Sequence, residues 1–226
     1  MTAPELLIGL LAWGTIVGLD LVTAPQVMVA RPLVAGTVAG WICGEPATGL
    51  VLGVLFELFQ FDVLPVGAAR YPEYGPATVA AVAAARGAAE PGGLALGALI
   101  GLAAALLGGA SLGFVRRLNT AAVRAAGPSL ESGDPRALAR VHGAGVARDA
   151  VRALTVTAIG LLLAEVGRAT LAGVLAARTG ALVAAVVAGV GVAAAASGTF
   201  RLVGRGPALR WLLSGLIGGA ILLWLR

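Results

Sequence analysis

The chain has 226 residues, of which 59% are hydrophobic and 12% are charged, and its formal net charge is +5. An ordinary soluble domain carries about 25% charged residues, so this chain has too few solvated side chains for a free-standing water-soluble protein. Its hydrophobicity also excludes an intrinsically disordered chain, and no basic run is interleaved with the aromatic residues that nucleic-acid binding would need.

Long apolar stretches predict membrane-spanning helices, which need about 20 apolar residues each. Four stretches meet this requirement: residues 6–23, 92–115, 171–196 and 208–225. A fifth, residues 153–166, becomes long enough if the flanking Arg152 and Arg168 extend to the membrane interfaces. The first stretch lacks the basic region and cleavage signature of a signal peptide, so we expect it to belong to the membrane domain.

Two shorter apolar segments, residues 32–43 and 47–61, lie between the first two spans. Each covers only about 20 Å as a helix, too little to cross a core of about 30 Å. Short segments interrupted by Gly and Pro are typical of re-entrant or broken helices that line a protein cavity. The sequence therefore predicts an all-α polytopic membrane protein, with spanning helices plus short re-entrant helices in a single domain over residues 1–226.

Glycines at four-residue spacing predict where these helices approach one another closely. Three such series occur, formed by Gly36, Gly40 and Gly44, by Gly49 and Gly53, and by Gly93, Gly97 and Gly101.

Residues 116–152 differ from the rest of the chain because they hold seven arginines and only three acidic residues. Gly and Pro at 127–128 and 133–135 predict two short amphipathic helices around a turn. A short loop with this arginine excess belongs on the cytoplasmic side by the positive-inside rule. We therefore divide the domain into an N-terminal membrane part (1–115), a basic cytoplasmic segment (116–152) and C-terminal membrane helices (153–226).

Catalytic constellations are absent from the sequence. It has one histidine, one cysteine and no lysine, and it contains no HExxH, CxxC or GxxxxGK pattern. Its one GxSxG string, Gly109 to Gly113, lies within a long apolar run and not between a strand and a helix. We expect no catalytic residue, no metal site and no cofactor. His142 is a conceivable phosphoacceptor, but a structural role fits a lone histidine better.

Glu57 is the main candidate for a functional side chain. An acidic residue at the centre of a membrane helix costs roughly 2.5–3.5 kcal/mol, so it normally faces a cavity, a partner charge or a substrate. Gln60 falls on the same helical face. The alternative is that Glu57 neutralises Arg31 or Arg70 as a buried structural pair.

Two further polar regions are candidates for ligand contacts. Asp20 and Gln26 follow the first span, where either a ligand or a solvated interfacial position explains them equally well. Residues 65–76 are rich in Pro and Gly and contain two tyrosines, an acid and a base. They suit either a non-helical strip that lines a polar cavity or an interfacial turn anchored by its tyrosines.

The order and spacing of several short motifs resemble the IIC membrane subunit of the mannose/fructose/sorbose-type phosphotransferase system. The resemblance is strongest from residue 20 to 80, and residues 141–152 look like the family's turn back into the membrane. The motifs that carry it are Arg31-Pro32-Leu33-Val34, Gly40, Gly44-Glu45, Thr48-Gly49, Gly53, Glu57-Leu58, Val66-Gly67-Ala68-Ala69 and Pro72-Glu73.

This resemblance implies a sugar-translocating subunit of the bacterial inner membrane that is not itself an enzyme. It implies an oligomeric complex with a IID membrane subunit, soluble IIA and IIB phosphocarriers, a hexose substrate and the lipid bilayer as surroundings. Glu57 would be a sugar contact, Gly67, Ala68 and Glu73 would line the same pocket, and His142 would not carry phosphate. Two other functions stay open, a membrane scaffold that does not transport and a proton-coupled transporter of small solutes.

Overall fold

The computed structural model describes residues 2–63, 69–175 and 177–203, together with 210–211, 213–215 and 217. These residues form helices and connecting turns without a β-strand, which confirms the all-α prediction. The helices are α1 (Ala3–Asp20), α2 (Pro32–Cys43), α3 (Pro46–Gln60), α4 (Tyr74–Ala85), α5 (Gly92–Ala125), α6 (Gly127–Glu131), α7 (Pro135–Leu171) and α8 (Ala177–Val203). Gly67, Ala68 and most of the predicted span 208–225 lie outside the described residues.

Within the described residues, four helices are long and apolar enough to cross a membrane: α1, α5, α7 and the part of α8 from Arg178 to Ser197. The short fifth stretch is thus the C-terminal part of α7. The prediction of two separate amphipathic helices between the spans was wrong. Residues 116–125 continue α5 and residues 135–152 begin α7, because Arg, Ala and Leu are strong helix formers in water too.

The two long helices are separated by a short break. Pro128 lies at the start of α6, and Asp134 caps α7 by accepting a hydrogen bond of 2.8 Å from the backbone N–H of Arg136. Pro135 occupies the first position of α7, where its missing N–H removes no intrahelical hydrogen bond. These residues therefore end one helix and begin the next within ten residues.

The sequence reasoning did not predict α4. All twelve of its residues are buried, because α1, α2, α3, α5 and α7 all pack against it. Its many alanines let neighbouring helices approach from every side. A helix of this length is too short for a membrane span, so a search for spans by length passes over it.

The two short apolar segments form the short helices α2 and α3, which pack against each other as a hairpin. Gly44 ends α2 with a φ of 79°, a left-handed conformation that glycine adopts without strain, and Pro46 begins α3. A Cβ atom on Gly36 would lie 2.6 Å from the carbonyl oxygen of Gly49. One on Gly40 would lie 2.9 Å from the Cα of Gly49, so the glycine spacing marks a true contact here.

The third glycine series lies on α5, and its contacts show how far along the apolar section of α5 the neighbouring helices lie. A Cβ on Gly97 would lie 2.8 Å from the carbonyl oxygen of Ala81 in α4, and the ring of Phe56 in α3 packs on Gly101. Gly101 is nine residues into α5, or about 14 Å along an apolar section of roughly 35 Å. The α3 residues beside Gly101 are therefore near the middle of the apolar layer.

Candidate functional site

Glu57 forms an ion pair with Arg31, the residue just before α2. Its carboxylate also accepts a hydrogen bond of 3.2 Å from the backbone N–H of Leu33, one of the free donors in the first turn of α2. The Glu57 side chain is 12% exposed and that of Arg31 is 41% exposed. Glu57 therefore pairs with Arg31, as the alternative interpretation expected. The pair is not fully buried, because the Arg31 guanidinium stays accessible.

The pair lies at the open end of the α2–α3 hairpin, near the middle of the apolar layer. Glu57 follows Phe56, whose ring packs on Gly101. The Arg31 guanidinium also stacks on the ring of Phe61, with 5.6 Å between its carbon and the ring centroid. An acid, a base and a backbone donor therefore meet at membrane depth, where each can bind a polar group.

Gln60 lies one turn beyond Glu57, and it is 7% exposed. The same end of α3 contributes Phe56 and Phe59 to a cluster with Tyr74, with ring centroids 5.7–6.2 Å apart. This cluster packs the end of α3, which contains Glu57, against the start of α4.

Asp20 is buried at 2% exposure, so of the two alternatives for this residue the solvated interfacial position is wrong. Its carboxylate accepts hydrogen bonds from the backbone N–H groups of Val27, at 2.7 Å, and Ala30, at 2.9 Å. It thereby shapes the loop that leads to Arg31. Gln26 is exposed on this loop with a φ of 59°, a left-handed conformation that is strained for a residue other than glycine.

Glu73 lies in a second ion pair, with Arg152 of α7. Arg152 donates to both carboxylate oxygens of Glu73, at 2.6 and 3.1 Å, and also binds Asp149 at 2.6 Å. It is 5% exposed, so the expectation that it extends to a membrane interface is wrong. Two carboxylates compensate its charge inside the protein, which removes the need to reach water.

The two ion pairs occupy different depths. Phe56, the residue before Glu57, packs on Gly101, whereas Glu73 packs on Gly108, seven residues or about 10 Å further along α5. Asp149 also accepts a hydrogen bond from the hydroxyl of Thr23, and Arg152 donates to the carbonyl oxygen of Gly18 at 2.9 Å. The second pair therefore ties the end of α1 to α7.

Sequence reasoning overlooked Arg152, Asp149 and Thr23 as members of a buried network. The available signal was the spacing of Asp149 and Arg152, three residues apart on one helical face beside an apolar span. In the described residues, no group of three or more His, Cys, Asp or Glu side chains is arranged to hold a metal ion.

Comparisons with known proteins agree with this architecture. A family model described as the sorbose-specific IIC component of the phosphotransferase system matches residues 3–198. The sorbose-specific EIIC component of Lacticaseibacillus casei is 36% identical over 61 residues, which cover 27% of this chain and 22% of that protein. The match thus spans about a fifth of that relative's length.

Two solved structures share the fold. One, described only as a membrane protein, superposes with a TM-score of 0.70 at 18% identity, over 97% of this chain and 87% of that chain. The other, a cryo-EM structure of the mannose transporter ManYZ in complex with a microcin, has a TM-score of 0.60 at 20% identity with the same coverage. Since the family model covers nearly the whole chain, this protein belongs to the sorbose-specific IIC family, the membrane transport components of a sugar phosphotransferase system.

Proposed function

We propose that this chain is the sugar-translocating subunit of a mannose-type phosphotransferase system in a bacterial inner membrane. It would carry a hexose across the membrane to a partner IIB protein, which phosphorylates it with phosphate received from IIA. Family membership supports this proposal, and the L. casei relative is named for sorbose, itself a hexose. The phosphate relay would lie in the partners, so this chain would act as a permease subunit and not as an enzyme.

The observation that carries the proposal is the Glu57–Arg31 pair at the open end of the hairpin. Substrate sites of transporters often lie near the bilayer midplane at the ends of broken helices. A carboxylate accepts hydrogen bonds from sugar hydroxyls, and a guanidinium donates to their oxygens. Glu57 now contacts Arg31 and the backbone N–H of Leu33. In a bound state, the hydroxyls of the hexose would replace these contacts. Gln60, Asp20, Gln26, Gly67, Ala68 and Glu73 stay proposed contributors to the sugar path.

The exposure of Arg31 supports a membrane partner. A guanidinium that faces lipid at the centre of the apolar layer is costly, and such groups normally face protein or a water-filled cavity. Arg31 is 41% exposed in this chain, the Phe61 ring on which it stacks is 58% exposed, and Val54, one turn before Glu57, is 47% exposed. A IID subunit that covers this face in an oligomeric complex would remove that cost.

Transport by reconstituted vesicles tests the proposal. Vesicles with the chain, IID, IIA and IIB should take up a labelled hexose only when phosphoenolpyruvate is supplied. The Glu57→Gln variant should lose uptake by roughly 10- to 150-fold, which corresponds to a hydrogen bond to a charged group worth about 1.5–3 kcal/mol. Glu165→Gln is a matched control, since the Glu165 carboxylate is 68% exposed on α7 and its one ion pair among the described residues is with Arg168.

The two other functions give different outcomes. Uptake that ignores phosphoenolpyruvate but follows a pH gradient would overturn the proposal in favour of a proton-coupled transporter. Assembly of the complex without uptake of any hexose would instead favour a membrane scaffold.

A further inference from the structure

Four arginines surround one cavity where α5 leaves its apolar section. The cavity has a volume of about 450 Å³, and its lining residues are Arg70, Arg116, Arg117 and Arg124 with Gly113, Thr120 and Ala121. No acidic residue lines it, and none of the four arginines has an ion pair among the described residues. All eleven acidic residues of the chain belong to the described part, and none of them forms an ion pair with these four arginines.

A second cavity of about 480 Å³ continues the first toward the apolar layer. The two share Arg70, Gly113 and Arg117, and the second adds Leu106, Gly109 and Ala110 of α5 with Tyr71 and Pro72 opposite. The α5 residues follow one another at three- and four-residue spacing, so they lie on one face of the helix. Together the cavities form a furrow that is apolar at one end and cationic at the other.

The walls of the furrow are held in place by Arg116. It donates hydrogen bonds to the carbonyl oxygen of Ala69, at 2.8 Å, and to the Tyr71 hydroxyl, at 3.2 Å. Its guanidinium also stacks on the Tyr71 ring at 5.5 Å. Arg116 thus fixes the extended segment that contains Arg70, while Arg70, Arg117 and Arg124 keep their donors for a ligand.

The chemistry of the furrow fits a phosphate group, which planar guanidinium groups bind with two parallel hydrogen bonds each. The phosphate could belong to a lipid or to a soluble sugar phosphate. A sugar phosphate would leave its hydroxyls against Leu106, Gly109 and Ala110, which offer them no side-chain partner. A lipid would lay an acyl chain against those residues and its headgroup among the arginines, at the depth where α5 passes from apolar to basic sequence.

We propose that this furrow binds an anionic phospholipid, with its phosphate on Arg70, Arg117 and Arg124 and one acyl chain along α5 from Leu106 to Gly113. Basic pockets at the ends of membrane helices are suited to such headgroups. The inference does not depend on which solute the protein carries.

Native mass spectrometry of the full chain in a non-ionic detergent tests the site. The probes are dioleoylphosphatidylglycerol, dioleoylphosphatidylcholine and glucose 6-phosphate. We expect the phosphatidylglycerol to bind at least tenfold more tightly than the phosphatidylcholine. The Arg117→Gln/Arg124→Gln variant should weaken its binding about 25-fold, at roughly fivefold per arginine. The control Arg136→Gln/Arg140→Gln removes the same charge from α7 and should change binding by less than twofold.

A second variant keeps the arginines and fills the furrow. No atom lies within 4 Å of a Cβ on Gly113, so Gly113→Phe should fold normally and remove phosphatidylglycerol binding by occupying the space of the acyl chain. Equal binding of the two lipids, equal losses in the two arginine variants, or full binding by Gly113→Phe would each overturn the proposal. Displacement of the lipid by millimolar glucose 6-phosphate would overturn it in favour of a soluble phosphate ligand.

Discussion

Arg152 binds both carboxylate oxygens of Glu73, which lies 79 residues earlier in the chain. The two residues are 5% and 1% exposed, so the pair is shielded from solvent. Gly108 makes room for it, because a Cβ there would lie 2.8 Å from the Glu73 side chain. Arg152 also donates to the Asp149 carboxylate at 2.6 Å, so one guanidinium binds two buried carboxylates.

This arrangement predicts unequal effects of removing its members. Arg152→Met should lower the free energy of unfolding by at least about 3–5 kcal/mol, because it leaves Glu73 and Asp149 buried without a cation. Glu73→Gln should cost less, since Arg152 keeps Asp149. Denaturant titration of the chain in mixed micelles measures both effects.

The matched control is Arg168→Met on the same helix. Arg168 contacts Glu165 at 3.6 Å, and the two side chains are 31% and 68% exposed, so we expect a loss below about 1 kcal/mol. Equal losses for Arg152→Met and Arg168→Met would contradict the assignment of a buried network.

The spanning helices, the two short helices and their close approach could be predicted because run length and glycine spacing are local properties of the sequence. The burial of α4 is not local. Its twelve residues are alanine-rich and could equally form half of a span or an exposed turn. Only the presence of α1, α2, α3, α5 and α7 around it decides between these possibilities.

The partners of the charged residues were equally hard to predict. An arginine beside an apolar run can extend to the interface or turn inward. Arg152 turns inward because it binds Glu73, which lies in the non-helical segment before α4. The sequence left Arg31 and Arg70 open as partners of Glu57. The tight turn at Gly44 decides this by folding α3 back along α2, which brings Glu57 to Arg31.

Gly36 should tolerate no side chain. In Gly36→Ala the new Cβ would lie 2.6 Å from the carbonyl oxygen of Gly49, which cannot move without parting the hairpin. We expect the free energy of unfolding to fall by about 1–3 kcal/mol. Gly143→Ala is the control, because no atom lies within 4 Å of that position and alanine favours a helix by up to about 1 kcal/mol. Changes of the same sign in both variants would contradict the close approach of the two backbones.

Asp20 should control the loop before Arg31. Asp20→Ala removes the acceptor for the N–H groups of Val27 and Ala30, which are held at 2.7 and 2.9 Å. Hydrogen bonds to a charged group are worth about 1.5–3 kcal/mol, so the exchange of these two amides should accelerate roughly 10- to 150-fold. Thr37→Val removes only a hydroxyl contact within α2 and should leave their exchange unchanged. Unchanged exchange in Asp20→Ala would show that the loop is held by other contacts.

The arginine-rich ends of α5 and α7 predict the orientation of the chain in the membrane. On a Cys43→Ser background, Ser132→Cys should react with an impermeant maleimide from the cytoplasmic side only. Ala89→Cys precedes the opposite end of α5, a helix of 34 residues or about 50 Å, and should react from the other side only. The reverse pattern in intact cells and inverted vesicles would contradict the orientation.

A double variant separates the two roles that Glu57 could have. If its carboxylate only neutralises Arg31, then Arg31→Gln/Glu57→Gln should recover the uptake lost in Glu57→Gln, since no charge is left unpaired at membrane depth. If the carboxylate binds sugar hydroxyls, the double variant should transport no better than the single one, and this is the outcome we expect.

Glu45→Gln provides the control for the hairpin itself. Glu45 accepts a hydrogen bond of 2.8 Å from the backbone N–H of Gly87 at the opposite end of the hairpin, away from Arg31. Its loss should lower stability by about 1.5–3 kcal/mol and leave the KM for the sugar unchanged. We thus expect the Glu45 end of the hairpin to affect stability and the Glu57 end to affect sugar binding. A raised KM in Glu45→Gln would mean that the position of the hairpin, and not the Glu57 carboxylate, determines sugar binding.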